Sequence, residues 1–147
     1  LIFAGVMVFS PLHAAKINAV KVGSKINVTI NGKYFTSYIF PEDEKYPFFY
    51  PVNGPLSGGS VTSMRNAEYP HHSSLFFGCD LVNGGNYWQE GLERGRIISV
   101  NAQIIKEGGD TVIITDECIW SSTGSFSKIK EILKLIWQAL QISGTDL

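Results

Sequence analysis

The stretch KINAVKVGSKINVTINGKYFTSYIF, residues 16–40, decides the fold class. Its apolar and polar residues alternate with the two-residue period of a half-buried β-strand. Gly23-Ser24 and Asn31-Gly32 interrupt this alternation with the residues that two-residue hairpin turns of types II′ and I′ require. The central strand then carries three apolar residues on one face, Ile26, Val28 and Ile30. The segment predicts a three-stranded antiparallel meander.

Strand-like segments continue downstream of the meander. YPFFYPV (46–52) is aromatic, but Pro47 and Pro51 restrict it to an edge strand or an extended segment. SLFFGCD (74–80) predicts another strand, and VNGGNYW (82–88) predicts a turn that leads into one. GRIISVNAQIIK and TVIITDECIW form a hairpin around residues 107–110. Roughly seven or eight strands with turns between them predict an all-β chain, an antiparallel β-sandwich or a barrel, with a long excursion over residues 53–73.

The two ends of the chain depart from the β pattern. Residues 1–15, LIFAGVMVFSPLHAA, have the apolar run and small residues of a secretory signal remnant, or else form a buried N-terminal strand. From Ser127 onward, apolar residues at helical spacing predict a C-terminal amphipathic helix, which can pack on the domain, bind a partner, or be an out-of-frame or truncated end. We therefore expect a signal remnant at 1–15, a partial β-sandwich at 16–120, and a helical tail of atypical or out-of-frame sequence at 121–147.

Composition excludes several functional classes. The chain has 12 Lys and Arg against 13 Asp and Glu, a net charge of −1, and 44% hydrophobic residues. A scattered, nearly balanced charge gives no footprint for nucleic acid, and the apolar content is too high for disorder. The sequence has no nucleophile elbow, phosphate loop, dinucleotide fingerprint or C-x-x-C pair, and we expect no cofactor. Cys79 and Cys118 can form a disulfide or remain buried thiols.

The stretch EYPHHSSLFFGCDLVNGGNYWQEG, residues 68–91, carries the candidate chemistry. Adjacent histidines on a strand point to opposite faces, so His71 and His72 can share a site only where the backbone is irregular, which Pro70 favours. An imidazole titrates at roughly pH 6.5 and can act as a general acid or base, although both histidines can equally be structural. The spacing of His71 and His72 indicates no metal site.

Aromatic, amide and carboxyl side chains follow the histidines. Trp88 and Tyr87 have ring faces that can cover the C–H patches of a sugar, and Asn83 can hydrogen-bond to hydroxyl groups. Asp80 and Glu90 are the nearby carboxylates that can orient hydroxyls or transfer a proton. Alternatively, the aromatic residues belong to the core and the carboxylates lie on an exposed rim.

Three motifs in this region resemble a known family. Y-P-x-x-G-P at 50–55, P-H-H-x-x-L at 70–75 and V-N-G-x-x-Y-W at 82–88 are similar to motifs of secreted bacterial proteins labelled "methane oxygenase PmoA". The resemblance covers residues from about Tyr46 to Trp120. It implies a β-sandwich similar in outline to galactose-mutarotase-like proteins, in a saccharide-utilisation setting. Ser73 stands where that family has Arg, and its members continue with more strands, so this chain resembles a truncated member.

These observations predict an exported, secreted or periplasmic, carbohydrate-active protein. Its chemistry would be proton transfer on a saccharide (epimerisation, elimination or hydrolysis) at a concave sheet face. The expected catalytic residues are His71, His72 and Glu90, and the expected substrate-binding residues are Asn83, Tyr87, Trp88 and Asp80. The alternative is a non-catalytic saccharide-binding or structural module. A membrane-bound oxygenase subunit conflicts with the lack of an apolar span of about twenty residues.

Overall fold

The computed structural model describes residues 15–54, 58–122 and 125–138. Within these residues the strands form two antiparallel sheets, and the one helix is a short 3-10 turn at Leu92–Arg94. No helix in this part of the chain is long and apolar enough to cross a membrane. The all-β prediction is confirmed, while the predicted signal remnant lies outside the described residues except for Ala15.

The first sheet contains five strands in sequential order. These strands are β1 (Ile17–Val22), β2 (Lys25–Ile30), β3 (Lys33–Ile39), β4 (Phe48–Phe49) and β5 (Leu75–Phe76). The first three form the predicted meander, with antiparallel pairing throughout.

Both predicted hairpin turns are confirmed. Gly23 has a φ of +58° and is the only residue of its turn in the positive region, as a type II′ turn requires. Asn31 and Gly32 have φ values of +51° and +76°, and positive values at both central residues define a type I′ turn. Local turn chemistry therefore fixes the register of β1, β2 and β3.

Strand β4 differs from its prediction as an edge strand. It lies between β3 and β5, with Phe49 paired to Tyr38 on one side and to Leu75 on the other. Phe48 and Phe49 are both buried. Pro47 and the following Pro51 flank the strand rather than interrupt it, so both ladders form but β4 is only two residues long.

The second sheet is built around one long strand. Its members are β6 (Arg96–Ser99), β7 (Gln103–Lys106), β8 (Thr111–Ser122) and β9 (Ser125–Gln138). β6 and β7 pair with successive parts of β8, and β9 pairs along its length. The predicted hairpin at 107–110 joins β7 to β8, but the predicted continuous strand over 95–106 is broken at 100–102.

A strand stands where the sequence predicted the C-terminal helix. β9 is antiparallel to β8, from the pair Ser122↔Ser125 to the pair Thr111↔Gln138. Its apolar residues recur at helical spacing, but Ile129, Leu133, Leu135 and Trp137 also share one parity of a strand. Because β8 offers a long unpaired backbone edge, non-local pairing overrides the local helical pattern. The helix prediction is wrong for 125–138, and residues 139–147 lie outside the described residues.

The two sheets share one core. Strands of both sheets contribute its buried residues, which are Ile17, Ala19, Ile26, Val28, Tyr38, Phe49, Ala102, Val112 and Ile114. Of the face predicted for β2, Ile26 and Val28 are buried and Ile30 packs against the same cluster. Two antiparallel sheets packed through alternating inward residues have the arrangement of a sandwich.

A buried polar cluster also joins the sheets. Tyr38 of β3 donates a hydrogen bond of 2.7 Å to Asp116 Oδ2 of β8, and Ser99 of β6 donates one of 2.9 Å to Asp116 Oδ1. Burial raises the pKa of Asp116 above its usual value, and burial beside that carboxylate raises the pKa of Tyr38. Both oxygens of the carboxylate are thus occupied inside the core.

Candidate functional site

A cleft with a volume of about 360 Å³ opens beside β4. Three loops build it: the connection from β3 to β4, residues 65–73 of the excursion, and the loop over 86–95. Its lining residues are Asp43, Glu44, Lys45, Tyr46, Arg65, Pro70, Ser73, Glu90 and Leu92. Seven of these nine residues are polar or charged, among them three carboxylates and two cations.

An aromatic row leads outward from the wall of the cleft. The buried Tyr46 ring stacks on Phe76, with centroids 4.3 Å apart and ring planes at 3°. Phe76 contacts Trp88, with centroids 5.3 Å apart, and Trp88 is 41% exposed. The outermost ring of the row, the Trp88 indole, therefore packs on Phe76 and is exposed to solvent.

Tyr46 also connects the cleft to the histidine pair. Its hydroxyl donates a hydrogen bond of 2.6 Å to the His71 carbonyl oxygen. Burial raises the pKa of Tyr46, so the phenol remains a neutral donor at ordinary pH. The backbone of the excursion is thereby fixed to the segment that precedes β4.

The two histidines lie side by side, as an irregular backbone at Pro70 was predicted to allow. Residues 70–71 form a turn, and the centroids of the His71 and His72 rings are 4.5 Å apart. The His72 ring stacks on Tyr69 at 4.9 Å. Pro70 and Ser73, on either side of the pair, line the cleft, but neither histidine is among the lining residues.

The loop over 86–95 carries Trp88 and Glu90, and Asn86 shapes its first half. The Asn86 side-chain oxygen accepts hydrogen bonds from the backbone N–H groups of Trp88 (3.0 Å) and Gln89 (2.8 Å). Its amide nitrogen donates to Asp80 Oδ1 at 2.6 Å. The predicted substrate residue Asp80 therefore contacts the loop rather than the cleft.

Lys45 closes the same loop from inside the protein. Its ammonium donates hydrogen bonds to three backbone carbonyls, those of Asn86 (3.0 Å), Gly91 (2.8 Å) and Gly95 (2.7 Å). Burial lowers the pKa of Lys45, while the nearby carboxylates of Glu90 and Glu93 act in the opposite direction. All three ammonium protons are used within the chain.

Asn83 and Tyr87 have structural surroundings. Asn83 and Gly84 have φ values of +46° and +82° and form a two-residue turn between Val82 and Gly85, which exchange backbone hydrogen bonds. Tyr87 is buried against Trp120, at 4.7 Å between centroids. The alternative reading of a core aromatic therefore describes Tyr87, whereas Trp88 beside it is exposed.

The arginines near the cleft are engaged by the chain. Arg65 forms an ion pair with Glu44, and Arg96 donates to the backbone carbonyls of Glu42 and Glu44. Arg94 donates to the Gln89 side-chain oxygen at 2.7 Å. The Arg65–Glu44 pair joins the excursion to the β3–β4 connection, Arg96 attaches that connection to β6, and Arg94 stabilises the loop over 86–95 internally.

The structure brings only part of the predicted site together. Glu90 lines the cleft, whereas Trp88 and His71 do not. Trp88 packs on Phe76, and the His71 carbonyl oxygen accepts a hydrogen bond from the cleft-lining Tyr46. Sequence reasoning missed Lys45 and Arg65, which were ordinary surface cations by type, and no local pattern marked them. No group of three or more His, Cys, Asp or Glu residues in the described part of the chain could hold a metal ion.

The two cysteines are not joined in the structure. Cys79 is exposed and Cys118 is buried, and no disulfide links them within the described residues. Cys118 packs with Tyr46, Tyr87, Ile97 and Trp120 in a second apolar cluster behind the cleft.

Fold and cleft define an antiparallel β-sheet protein with a polar surface cleft. Residues 25–141 match the model of a family described as "Family of unknown function (DUF6807)", and the chain belongs to this family. Neither the comparison with curated proteins nor the comparison with solved structures gave a match.

Proposed function

We propose that this protein binds a saccharide at the cleft, with Trp88 as the platform for a sugar ring. The observation that carries the proposal is the exposed Trp88 indole at the outer end of an aromatic row that passes through Phe76 and begins at Tyr46, a residue of the cleft lining. An aromatic face that is held by packing and open to solvent suits the C–H face of a sugar.

The lining of the cleft can meet the hydroxyl groups of the same ligand. The carboxylates of Asp43 and Glu90 can accept hydrogen bonds from these hydroxyl groups, while the buried Ser73 side chain is hydrogen-bonded to Tyr46 in the cleft wall.

Proton-transfer chemistry on the bound sugar is a second candidate. Glu90 lines the cleft and is positioned to act as an acid or base there. His71 and His72 would have to turn their rings toward the cleft to take part, since their backbone neighbours Pro70 and Ser73 line it while their rings pack with Tyr69. Epimerisation, elimination and hydrolysis are the reaction classes this arrangement would serve.

The finer resemblance and the location belong to the same proposal. The motifs at 50–55, 70–75 and 82–88 support membership in the PmoA-labelled, galactose-mutarotase-like group, and the apolar residues 1–15 support export to the periplasm or the medium. The description of the matched family carries no oxygenase label.

Calorimetric titration with a panel of neutral mono- and oligosaccharides tests the proposal. Trp88→Ala should weaken binding by up to about tenfold, since an aromatic contact contributes roughly 0.5–1.5 kcal/mol. Trp88→Phe should retain most of the affinity, and Ile105→Ala, which changes an exposed apolar residue of β7, should bind like the parent. Equal binding by Trp88→Ala and the parent, or no binding of any sugar, would refute saccharide binding at Trp88.

Proton NMR of each bound sugar in D₂O separates binding from catalysis. A binding module leaves the sugar unchanged and incorporates no deuterium. An enzyme converts or deuterates it, and Glu90→Gln then abolishes turnover while binding is mostly kept. Parallel measurements on His71→Ala and His72→Ala show whether either imidazole takes part.

A further inference from the structure

Lys45 sits in a position that neither its sequence context nor the proposed function requires. The residue is only 7% exposed, yet it carries a charge, and its ammonium lies among three convergent backbone carbonyls at 2.7–3.0 Å. A buried ammonium is costly unless its donors are satisfied, and here all three are. The carbonyls of Asn86, Gly91 and Gly95 thus form a cage that accommodates one primary ammonium group.

The cage joins the beginning and the end of the loop that carries the candidate ligand contacts. Asn86, Gly91 and Gly95 supply the carbonyls, and Trp88 and Glu90 lie between the first two of them. The loop contains no strand, and its only helix is the 3-10 turn at Leu92–Arg94. A backbone hydrogen bond of 2.8 Å from the Asn86 N–H to the Arg94 carbonyl also joins the two ends, but hydrogen bonds from a charged donor are stronger than neutral ones. Lys45 therefore adds three strong contacts across the loop.

We propose that Lys45 is a positioning residue whose ammonium group folds the loop over 86–95 into the shape that presents Trp88 and Glu90 at the cleft. The ligand-binding part of this inference rests on the proposed function, whereas the folding of the loop does not. A ligand need not contact Lys45, because its protons are already used by the chain.

Lys45→Met separates positioning from general stabilisation, because it keeps the apolar stem and removes the three donors. Amide hydrogen exchange at Trp88 and Gln89 should accelerate by at least about tenfold, while Ile26 and Val28 in the core keep their protection. Affinity for the saccharide should fall by about tenfold or more. Lys21→Met is the matched control, because Lys21 donates to a single carbonyl, that of Ala102, and should leave the loop unchanged.

Chemical rescue shows whether the N–H donors of Lys45 matter or only the space that its side chain fills. In Lys45→Ala, added propylammonium replaces the three missing carbons and the ammonium, and should restore slow exchange at Trp88 and Gln89. Propyltrimethylammonium has the same charge but no N–H donor, and should not restore it.

Two results would overturn the inference. One is exchange at Trp88 and Gln89 that is unchanged in Lys45→Met. The other is exchange that rises equally in the loop and the core, which would make Lys45 a general stabiliser. If the parent binds no saccharide, the proposed function fails, but the exchange and rescue measurements still decide the role of Lys45.

Discussion

Single residues in this chain acquire roles that their type alone does not indicate. Lys45 and Asp116 are charged residues, yet both are buried and fully hydrogen-bonded, the first to three carbonyls and the second to Tyr38 and Ser99. No sequence pattern distinguishes them from exposed Lys and Asp, because their partners are distant along the chain. The partners of Lys45 are 41, 46 and 50 residues away, and Tyr38 and Ser99 are 78 and 17 residues from Asp116. Burial of these groups can be read only from the folded chain.

Asp116 gives the protein a component of stability that decreases as the pH rises. Burial raises its folded-state pKa above the unfolded value of roughly 3.9, so between these two values the folded state binds more protons. This component is fully present below the unfolded pKa and is lost as the pH rises through the folded pKa. In urea unfolding across this pH range, the free energy of unfolding of the parent should show this decrease with rising pH, and that of Asp116→Asn should not.

The exposed Glu107 provides the control for that measurement, since Glu107→Gln should leave the component in place. Asp116→Ala should destabilise the protein by about 2–4 kcal/mol, because it leaves the buried Tyr38 hydroxyl and the half-buried Ser99 hydroxyl without their acceptor. The same pH dependence in Asp116→Asn as in the parent would contradict this account of the carboxylate.

Asn83 tests whether a predicted ligand residue is instead a turn residue. Its φ is +46°, which Asn tolerates and Ala does not. Asn83→Ala should therefore lower the free energy of unfolding by about 1 kcal/mol, whereas Asn83→Gly should not, and both should keep saccharide affinity. Thermal unfolding and calorimetric titration measure the two effects, and a folded Asn83→Gly that lost affinity would return Asn83 to the site.

Among the secondary-structure elements, those that depend on turn residues could be predicted from the local sequence. The turns at Gly23-Ser24 and Asn31-Gly32 follow from residues that accept positive φ, and they set the β1–β3 meander. The position of β4 and the strand β9 depend instead on pairing with segments elsewhere in the chain. Apolar residues that recur every three or four positions can also satisfy a two-residue period. Pairing with β8 therefore decides whether residues 125–138 form a helix or a strand.

The register of β9 can be tested by engineered disulfides. Thr115 and Lys134 are directly paired across β8 and β9, and paired antiparallel residues have Cα atoms about 4.5–5.5 Å apart, within reach of a disulfide. Oxidation of the double variant T115C/K134C should form the bond. T115C/K130C should not, because four strand residues add about 13 Å. Peptide mapping identifies the bond, and equal crosslinking of both variants, or of the second alone, would contradict the strand.

The whole molecule combines a sheet scaffold that sequence reasoning predicted with a cleft that it predicted only in part. The all-β class follows from alternation within each segment. The cleft does not, because loops from three distant regions build it around Lys45, Tyr46 and Glu90. The stretch over residues 68–91 did predict Trp88 and Glu90 as site residues, because aromatic and carboxyl side chains in a Gly-rich loop are chemically suited to binding a ligand. Tyr87 and Trp88 are adjacent, and only packing shows which one is exposed.

Isotope-edited NMR of the whole chain with a saccharide from the titration panel tests the central claim most directly. The claim predicts that the largest chemical-shift changes map to the Trp88 indole, Glu90 and Ser73, around one cleft. Changes confined to the separate surface around Lys21 and Ser99, or no saturable change with any saccharide, would contradict it.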